Sequence, residues 1–320
     1  MLSRVADSLY WLARYMERVE NIARFVDVNL HLTLDLPGGV VAQWDPLVTI
    51  TGDHESFSER YGAATEENVI QFLTFDPDYA NSIYCCVRDA RENARSIREV
   101  ISSEMWEQVN QFHLFLKDSA GRSMAGDEPH EFFTEVKEYC QLFLGLTETT
   151  MSHGEGWHFA RLGRVIERAD KTSRLLDVKY FILLPRVEYV GTPYDNIQWM
   201  AVLKSASAFE MYRKKYQRIN PHHVAEFLIF DLEFPRAMRY CLVKAEESLH
   251  AITGNPWGTA NNAAERSLGR LRAELDYSNI KEVIDSGMHG YLDSFQAKLN
   301  SVGGAVFETF FALPPLTPGV

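Results

Sequence analysis

The sequence repeats itself at an offset of about 150 residues, and this repeat constrains the fold more than any other feature. RYMERVENIARF, from Arg14 to Phe25, is matched by RVIERADKTSRL, from Arg164 to Leu175. Both segments follow the pattern R-x-x-E-R-x-[ED]-x-x-x-R. Because internal repeats report on architecture before any local signal does, the fold has to accommodate two similar units.

The match continues beyond the first segment with a slowly growing offset. FLTFDPDY at 72–79 is matched by FLIFDLEF at 227–234, which is an offset of 155, and His130 is matched more weakly by His289, an offset of 159. Insertions in the loops between equivalent helices would produce such growth. We therefore interpret the chain as a tandem duplication.

The duplication predicts a simple domain organisation. The halves fall at 1–152 and 153–310, and a proline-rich tail follows at 311–320. Short linkers between the repeated segments favour one compact unit with pseudo-twofold-related halves over two independent domains.

The periodicity of the apolar residues is helical throughout. Near the N-terminus they recur every three or four positions, at Val5, Leu9, Leu12, Met16, Val19, Ala23, Val26 and Leu30. This spacing is typical of one long amphipathic helix. Similar patterns predict further helices, among them 80–117 and 196–217, and no alternating strand pattern of useful length occurs. We predict an all-α, multi-helix bundle.

Composition narrows the possible functions. The net charge of −12 argues against nonspecific binding of nucleic acid, which needs a basic surface. No apolar run approaches the roughly 18 residues of a membrane span, and the first turns carry charges that interrupt any signal sequence. The four cysteines show no C-x-x-C spacing. We expect a cytoplasmic protein without a membrane or nucleic-acid partner.

The charged residues of the repeated segments lie on one helix face. In the first copy they are Arg14, Glu17, Arg18 and Asn21, and in the second Arg164, Glu167, Arg168 and Lys171. Asp170 of the second copy is a further candidate for the binding site. A solvated face with weak ion pairs between successive turns is one interpretation. We favour a face turned toward the other half or toward a shared cleft, because exposed pairs exchange Arg for Lys readily and bidentate or buried pairs do not.

A second basic cluster lies in RDARENARSIREV, from Arg88 to Val100. On a continuous helix Arg88, Arg91, Arg95 and Arg98 share one face, with Glu92 at its edge. Three interpretations remain open: structural pairing with acids such as Glu17 and Glu20, an anion-binding cleft, or plain surface. In the second half, the Pro235–Arg236 stretch would direct Arg236 toward the same interior, with Pro235 in a first helical turn.

Signatures of independent chemistry are missing from the sequence. There is no Walker loop, G-x-G-x-x-G or G-x-S-x-G motif. No nucleophile–base pair stands out, and the E-x-x-H segment at 247–250 falls short of a di-iron set. We expect no cofactor and no metal.

Four segments together resemble the alpha-E family, bacterial all-helical proteins with a glutamate–arginine motif. They are SRVADSLYWLARYMERVENIARFVDVN, RENARSIREVISSEMWEQVN, GWHFARLGRVIERADKT and HHVAEFLIFDLEFPRAMRYCL. The family's Gly before the first motif Arg is Ala13 here and Gly163 in the second copy. Its Ser after F-P-R is Ala237.

The resemblance implies function indirectly. Alpha-E proteins accompany a circularly permuted ATP-grasp protein, often with a transglutaminase-like or peptidase-like protein, so amide or peptide formation is the expected setting. We favour an accessory protein that docks this ligase and holds an anionic or peptide ligand in its Arg-rich cleft. One alternative is an enzyme of the same pathway that uses Glu17 or Glu167 as acid or base. Another is a purely structural scaffold.

Overall fold

The computed structural model describes residues 1–35, 43–120, 129–181 and 193–312, and their regular structure is entirely helical. The first half holds α1 (Ser3–Asp35), α2 (Asp45–Thr51), α3 (His54–Tyr61), α4 (Glu66–Thr74), α5 (Ile83–Ser96), α6 (Ser103–Ala120) and α7 (Pro129–Thr150). The second holds α8 (Glu155–Phe181), α9 (Pro193–Ser205), α10 (Phe209–Tyr216), α11 (Pro221–Phe230), α12 (Met238–Thr253), α13 (Ala263–Tyr277), α14 (Ile280–Ser286) and α15 (Met288–Val306), followed by a π-helical turn (Phe307–Phe311). The all-α prediction is confirmed.

Helix α1 is one continuous helix of 33 residues. Its sequence contains no glycine or proline, and its apolar residues return every three or four positions. The side chains of Leu9, Val19, Ala23 and Val26 are fully buried as a result. The prediction of one long amphipathic helix is confirmed.

Helices α1 and α8 lie side by side at the centre of the molecule. Helix α1 packs on α5 and α7 of its own half and on α9 of the other, while α8 packs on α12 and α15 of its own half and on α2 of the other. This is the reciprocal arrangement that a duplication would produce. The duplication and the pseudo-twofold relation remain predictions from the sequence.

Two of the predicted helices are each divided in the structure. The segment 80–117 forms α5 and α6, separated by a turn that contains Arg98. The Ser102 hydroxyl accepts a hydrogen bond from the Met105 amide (3.2 Å) and so caps a new helix start. The segment 196–217 forms α9 and α10, with Ser207 at a φ of 49° between them. The apolar residues keep their helical spacing across both turns, so the periodicity predicted a single helix in each case.

The C-terminal segment packs on the central helices as far as it is described. Phe311 is buried, and its ring lies 5.5 Å from that of Tyr10 and 5.8 Å from that of Phe159, between ring centres. The predicted proline-rich tail lies outside the described residues from position 313 onward. None of the described helices combines the length and apolar character needed to cross a membrane.

The crossing of α1 and α8 depends on Gly163. A Cβ added there would lie 2.3 Å from the Tyr10 carbonyl oxygen of α1, and a backbone atom cannot move away as a flexible side chain can. Gly163→Ala should therefore lower the free energy of unfolding by about 1–3 kcal/mol, measured by urea unfolding.

Gly145→Ala in α7 is the matched control, because a Cβ there has no neighbour within 4 Å. It should gain up to about 1 kcal/mol from helix propensity alone. Equal responses of the two variants would show that α1 and α8 do not approach this closely.

Candidate functional site

The two repeated segments meet where α1 packs on α8, and each supplies a carboxylate to the other's arginine. Arg18 grips Glu167 with two hydrogen bonds, Nε to Oε1 at 2.7 Å and Nη2 to Oε2 at 3.0 Å. Arg168 grips Glu17 in the same way, Nε to Oε1 at 2.9 Å and Nη2 to Oε2 at 2.6 Å. We call this reciprocal pair of ion pairs the seam. It joins the N-terminal half to the C-terminal half.

The seam is buried. Glu17 is 3% exposed and Glu167 0%, while the side chains of Arg18 and Arg168 are 13% and 9% exposed. The expectation that this face turns toward the other half is therefore confirmed, and the solvated-face interpretation is wrong. Bidentate geometry explains why both copies carry arginine here, since lysine cannot form the planar fork.

The protonation states of the seam are fixed by its own charges. Burial works to raise the pKa of Glu17, but the guanidinium groups of Arg168 and Arg236 outweigh it and lower that pKa from 4.5 to about 2. Burial acts likewise on Glu167, and Arg18, Arg14 and Lys171 outweigh it, so the pKa of Glu167 also lies well below its ordinary value. Both carboxylates are ionised at neutral pH.

The seam has two ends that differ in one exchange of residues. At the Glu17 end, Asn21 of α1 lies beside Arg236, which donates to Glu17 (2.9 Å), Asn21 (3.0 Å) and Glu20 (2.8 Å). In the repeat, Asn21 corresponds to Lys171 and Arg236 corresponds to Asn81. The cation therefore comes from the α12 side at one end and from α8 itself at the other.

The exchange leaves space at the Glu167 end. A cavity of about 160 Å³ opens there, and we call it the charged cavity. Its lining includes the cations Arg14, Arg18, Lys171 and Arg174, the acid Asp170, and the polar residues Thr51, Tyr79, Asn81 and Asn300. At about 30 Å³ per water, it has room for several waters or for a carboxylate or phosphate group.

An apolar cavity of about 300 Å³ adjoins the charged one. The two share Arg14, Asp170 and Asn300. The apolar cavity is otherwise lined by Tyr10, Trp11, Ile166, Leu299, Gly303, Gly304, Phe307 and Phe311. The guanidinium of Arg14 lies 4.8 Å from the Trp11 ring centre, at the boundary between the two.

The cations of the charged cavity differ in how many of their hydrogen-bond donors are already used within the protein. Arg18 uses Nε and Nη2 on Glu167 and Nη1 on Asn81 (2.5 Å). The Lys171 ammonium is held more loosely, 3.2 Å from Asp170 and 3.6 Å from Glu167. Arg174 binds Asp170 through Nε alone (2.9 Å). Lys171 and Arg174 therefore keep donors that an incoming anion can accept from.

Most of the residues predicted from the sequence lie at the seam. They are Glu17, Glu167, Arg14, Arg18, Asn21, Arg164, Arg168, Asp170 and Arg236. Arg164 is turned to Glu148 (2.7 Å), whereas its counterpart Arg14 joins Glu167 (2.8 Å). Arg236 reaches the interior as expected, although α12 begins at Met238 and not at Pro235.

The α5 cluster lies away from the seam. Arg88 pairs with Asp89, and Arg91 and Arg95 pair with Glu92. The side chains of Arg88 and Arg95 are 45% and 63% exposed. Of the three interpretations left open, pairing with Glu17 and Glu20 is wrong, because Arg88, Arg91 and Arg95 find acids on their own helix.

Sequence reasoning left Tyr79, Asn81, Arg174 and Gly303 out of the candidate site. Asn81 and Tyr79 both donate to Asp53 (3.2 and 2.6 Å) and so form one wall of the charged cavity. The repeat contained a signal for Asn81, since it stands where the second copy has Arg236. It gave no signal for the Asp53 contact, which joins separate loops.

Among the described residues, one cluster of three side chains is compact enough to hold a metal ion. It consists of Asp27, His31 and His130. The Asp27 carboxylate already accepts from His130 (2.5 Å) and from Lys137 (2.6 Å). Both oxygens of this carboxylate therefore already have partners within the protein. His289 and Asp177 form the corresponding pair in the second half (2.6 Å), which favours a structural role for both pairs.

The geometry disfavours Glu17 and Glu167 as acid–base catalysts. A general base works best when its pKa is near the operating pH, and both carboxylates are far more acidic than that. The oxygens of each are also engaged by guanidinium groups. The seam is therefore suited to fixing charge in place, and its geometry disfavours proton transfer by either carboxylate.

Comparison with known proteins gives one family match. Residues 1–311 match the model of Alpha-E, described as a predicted alpha-helical domain with a conserved ER motif. Glu-Arg dipeptides occur at four places, 17–18, 59–60, 167–168 and 265–266. Those at 17–18 in α1 and 167–168 in α8 are the residues of the seam.

The curated relatives are uncharacterized proteins. One from Mycobacterium bovis and two from strains of Mycobacterium tuberculosis are each 23% identical, matched over 97% of this chain. The chain spans 37% of the length of these relatives. No solved structure matches it.

The depressed pKa of Glu17 gives a testable pH dependence. A carboxyl whose folded pKa lies below its unfolded value stabilises the fold above the unfolded pKa, and that stability is lost as the pH falls through the folded pKa. For Glu17 the loss runs from about pH 4.5 down to about 2 and amounts to about 3 kcal/mol. Glu17→Gln should lose about 3–5 kcal/mol at pH 7, since it leaves buried guanidinium charge uncompensated.

Denaturant unfolding of wild type and variant between pH 7 and pH 2 measures both effects. Glu17→Gln should also show the shallower acid dependence. Glu92→Gln on α5, where the side chain is 47% exposed, is the control and should change stability by about 0.5 kcal/mol or less. Unchanged stability of Glu17→Gln at pH 7 would contradict a buried seam.

Proposed function

The chain belongs to the Alpha-E family, and from that premise we propose that it is an accessory partner of an ATP-grasp ligase that forms amide or peptide bonds. In this role it holds an anionic amino-acid or peptide substrate in the cleft beside the seam. The circularly permuted ATP-grasp protein is the primary partner, and a transglutaminase-like or peptidase-like protein is a further one.

The charged cavity is the observation that carries the proposal. Four cations line it, against the carboxylate of Asp170 in the lining and those of Glu167 and Asp53 behind it, so an excess of one positive charge surrounds the space. In a protein with a net charge of −12 this is a local reversal of sign. Clefts lined by one sign of charge concentrate ligands of the opposite sign.

The chemistry of the expected ligase fits such a cavity. ATP-grasp enzymes activate a carboxylate as an acyl phosphate and join it to an amine. The acid substrate, ATP and the acyl-phosphate intermediate of that sequence each carry a carboxylate or a phosphate, and guanidinium and ammonium groups bind both. A protein that only holds a carboxylate substrate for another enzyme needs fixed cations and no general base. This agrees with Glu17 and Glu167, which are ionised and bound by guanidinium groups.

The length of the relatives supports a partnership. In the mycobacterial proteins the matched segment makes up 37% of a longer chain, so a segment of this kind is compatible with covalent attachment to other units. The proposal includes a cytoplasmic location. Cys85, Cys86, Cys140 and Cys241 are buried free thiols, which a reducing compartment preserves.

A structural role is supported at the Glu17 end of the seam. There Arg236 fills the space beside Glu17 and Glu20 and is itself 7% exposed. This end leaves little room for a ligand, and its contacts hold the halves together. We therefore assign scaffolding to the Glu17 end and ligand binding to the Glu167 end.

The proposal predicts a complex with the ligase whose output depends on Lys171. The two proteins should coelute in size-exclusion chromatography at micromolar concentration. Lys171→Gln removes one charged donor from the cavity, worth about 1.5–3 kcal/mol. It should keep the complex and reduce amide formation by about tenfold or more.

Lys215→Gln is the matched control, because Lys215 pairs with Asp231 on the surface, away from the cavity. Melting temperatures of both variants establish that they are folded. Absence of a complex, or equal output from Lys171→Gln and wild type, would overturn the proposal.

A further inference from the structure

The apolar cavity has a counterpart at the other end of the seam, and that counterpart is closed. It measures about 20 Å³, room for about one water. Six of its ten lining residues stand at positions equivalent in the repeat to residues that line the apolar cavity: Ala160 to Tyr10, Arg164 to Arg14, Met16 to Ile166, Glu20 to Asp170, Cys140 to Leu299 and Leu144 to Gly303. The open cavity measures about 300 Å³. The two ends therefore differ about fifteenfold in free volume.

Gly303 is one of the positions at which the two linings differ. At its equivalent position, Leu144 projects a side chain that lines the closed counterpart. A Cβ added at Gly303 would meet only the Arg14 Nη1, at 4.0 Å, which is ordinary contact distance. The fold therefore has room for a side chain at 303 and does not need a glycine there for backbone reasons. The absent side chain leaves the apolar cavity open.

The charged cavity shows the same difference between the two ends of the seam. Arg236 places a guanidinium against Glu17 and Glu20, whereas Asn81 at the equivalent position leaves the space beside Lys171 unfilled. The Glu17 end of the seam thus has arginine and leucine at these two positions. The Glu167 end has asparagine and glycine there, and its two cavities adjoin and share three lining residues.

We propose that the chain has one ligand site at the Glu167 end and that its ligand is a carboxylate bearing a large apolar group. N-acylated aromatic amino acids and peptides that end in an aromatic residue belong to this class. The carboxylate lies in the charged cavity and the apolar group in the apolar cavity. This inference rests on the proposed function and specifies its substrate class.

The lining of the apolar cavity supports an aromatic or large aliphatic group. Trp11, Phe307 and Phe311 offer ring surfaces, while Ile166 and Leu299 offer aliphatic ones. Its volume is at the lower end of the range for small-molecule sites. Arg14, stacked on Trp11, fixes the distance between the apolar group and the anion.

Three probes separate the two contributions by isothermal titration calorimetry on the full chain. N-acetyl-L-phenylalanine carries both groups, N-acetylglycine only the anion, and N-acetyl-L-phenylalaninamide only the apolar group. The first should bind about 10- to 100-fold more tightly than either of the others, because N-acetylglycine lacks the aromatic ring and the amide lacks the anion. Its stoichiometry should be one. Phenyl phosphate, as a fourth probe, reports whether phosphate replaces carboxylate.

Gly303→Leu recreates the closed counterpart and tests the placement of the apolar group. It should reduce the affinity for N-acetyl-L-phenylalanine to about that for N-acetylglycine and leave N-acetylglycine binding unchanged. Gly145→Leu makes the same substitution on the surface of α7, where a Cβ meets nothing within 4 Å. It should leave both affinities unchanged.

The outcomes distinguish the two proposals. If none of the anions binds, the proposed function fails and this inference fails with it. If N-acetylglycine and N-acetyl-L-phenylalanine bind equally, or if Gly303→Leu binds both like wild type, the anion site stands and the apolar specificity is overturned. A stoichiometry of two would overturn the single site.

Discussion

The exchange of buried guanidinium–carboxylate pairs between α1 and α8 is the interaction on which the rest of the structure depends. Each ion pair takes one partner from either half, so neither half can satisfy its own buried charge alone. A buried arginine or glutamate without its partner costs several kcal/mol. The seam therefore makes the two halves obligatory partners and sets the register of the helices. It also brings a dense set of fixed charges to the centre of an acidic protein.

The seam has two ends of similar construction at which a ligand could bind, and the residues around these two ends differ. At the Glu17 end, Arg236 and Leu144 fill the positions that Asn81 and Gly303 leave open at the Glu167 end. The filled end gains packing and a satisfied charge network. The open end keeps loosely held donors on Lys171 and an adjoining apolar cavity. In our proposal these side-chain differences give the Glu17 end a structural role and the Glu167 end a ligand-binding role, within the same arrangement of helices.

Sequence predicted the fold class and the inward face well, for physical reasons. The three- and four-residue periodicity of α1 persists over seven turns. Both copies also carry arginine at positions where lysine would serve equally well on an exposed surface. The partners were harder to predict. Glu17 and Arg18 lie at spacings that also permit pairs within one helix, and Arg91 does pair with its neighbour Glu92. Reciprocal pairing and the open cleft depend on how close α1, α8 and α15 lie, which the periodicity of a single helix does not encode.

A double-mutant cycle between Glu17 and Arg168 tests the central claim most directly. Free energies of unfolding are measured for wild type, Glu17→Gln, Arg168→Gln and the double variant. A buried ion pair that joins the halves should give a coupling energy of about 2 kcal/mol or more, beyond the range of exposed pairs. A coupling of about 0.5 kcal/mol or less would contradict the account, since the two residues would then act as independent surface charges.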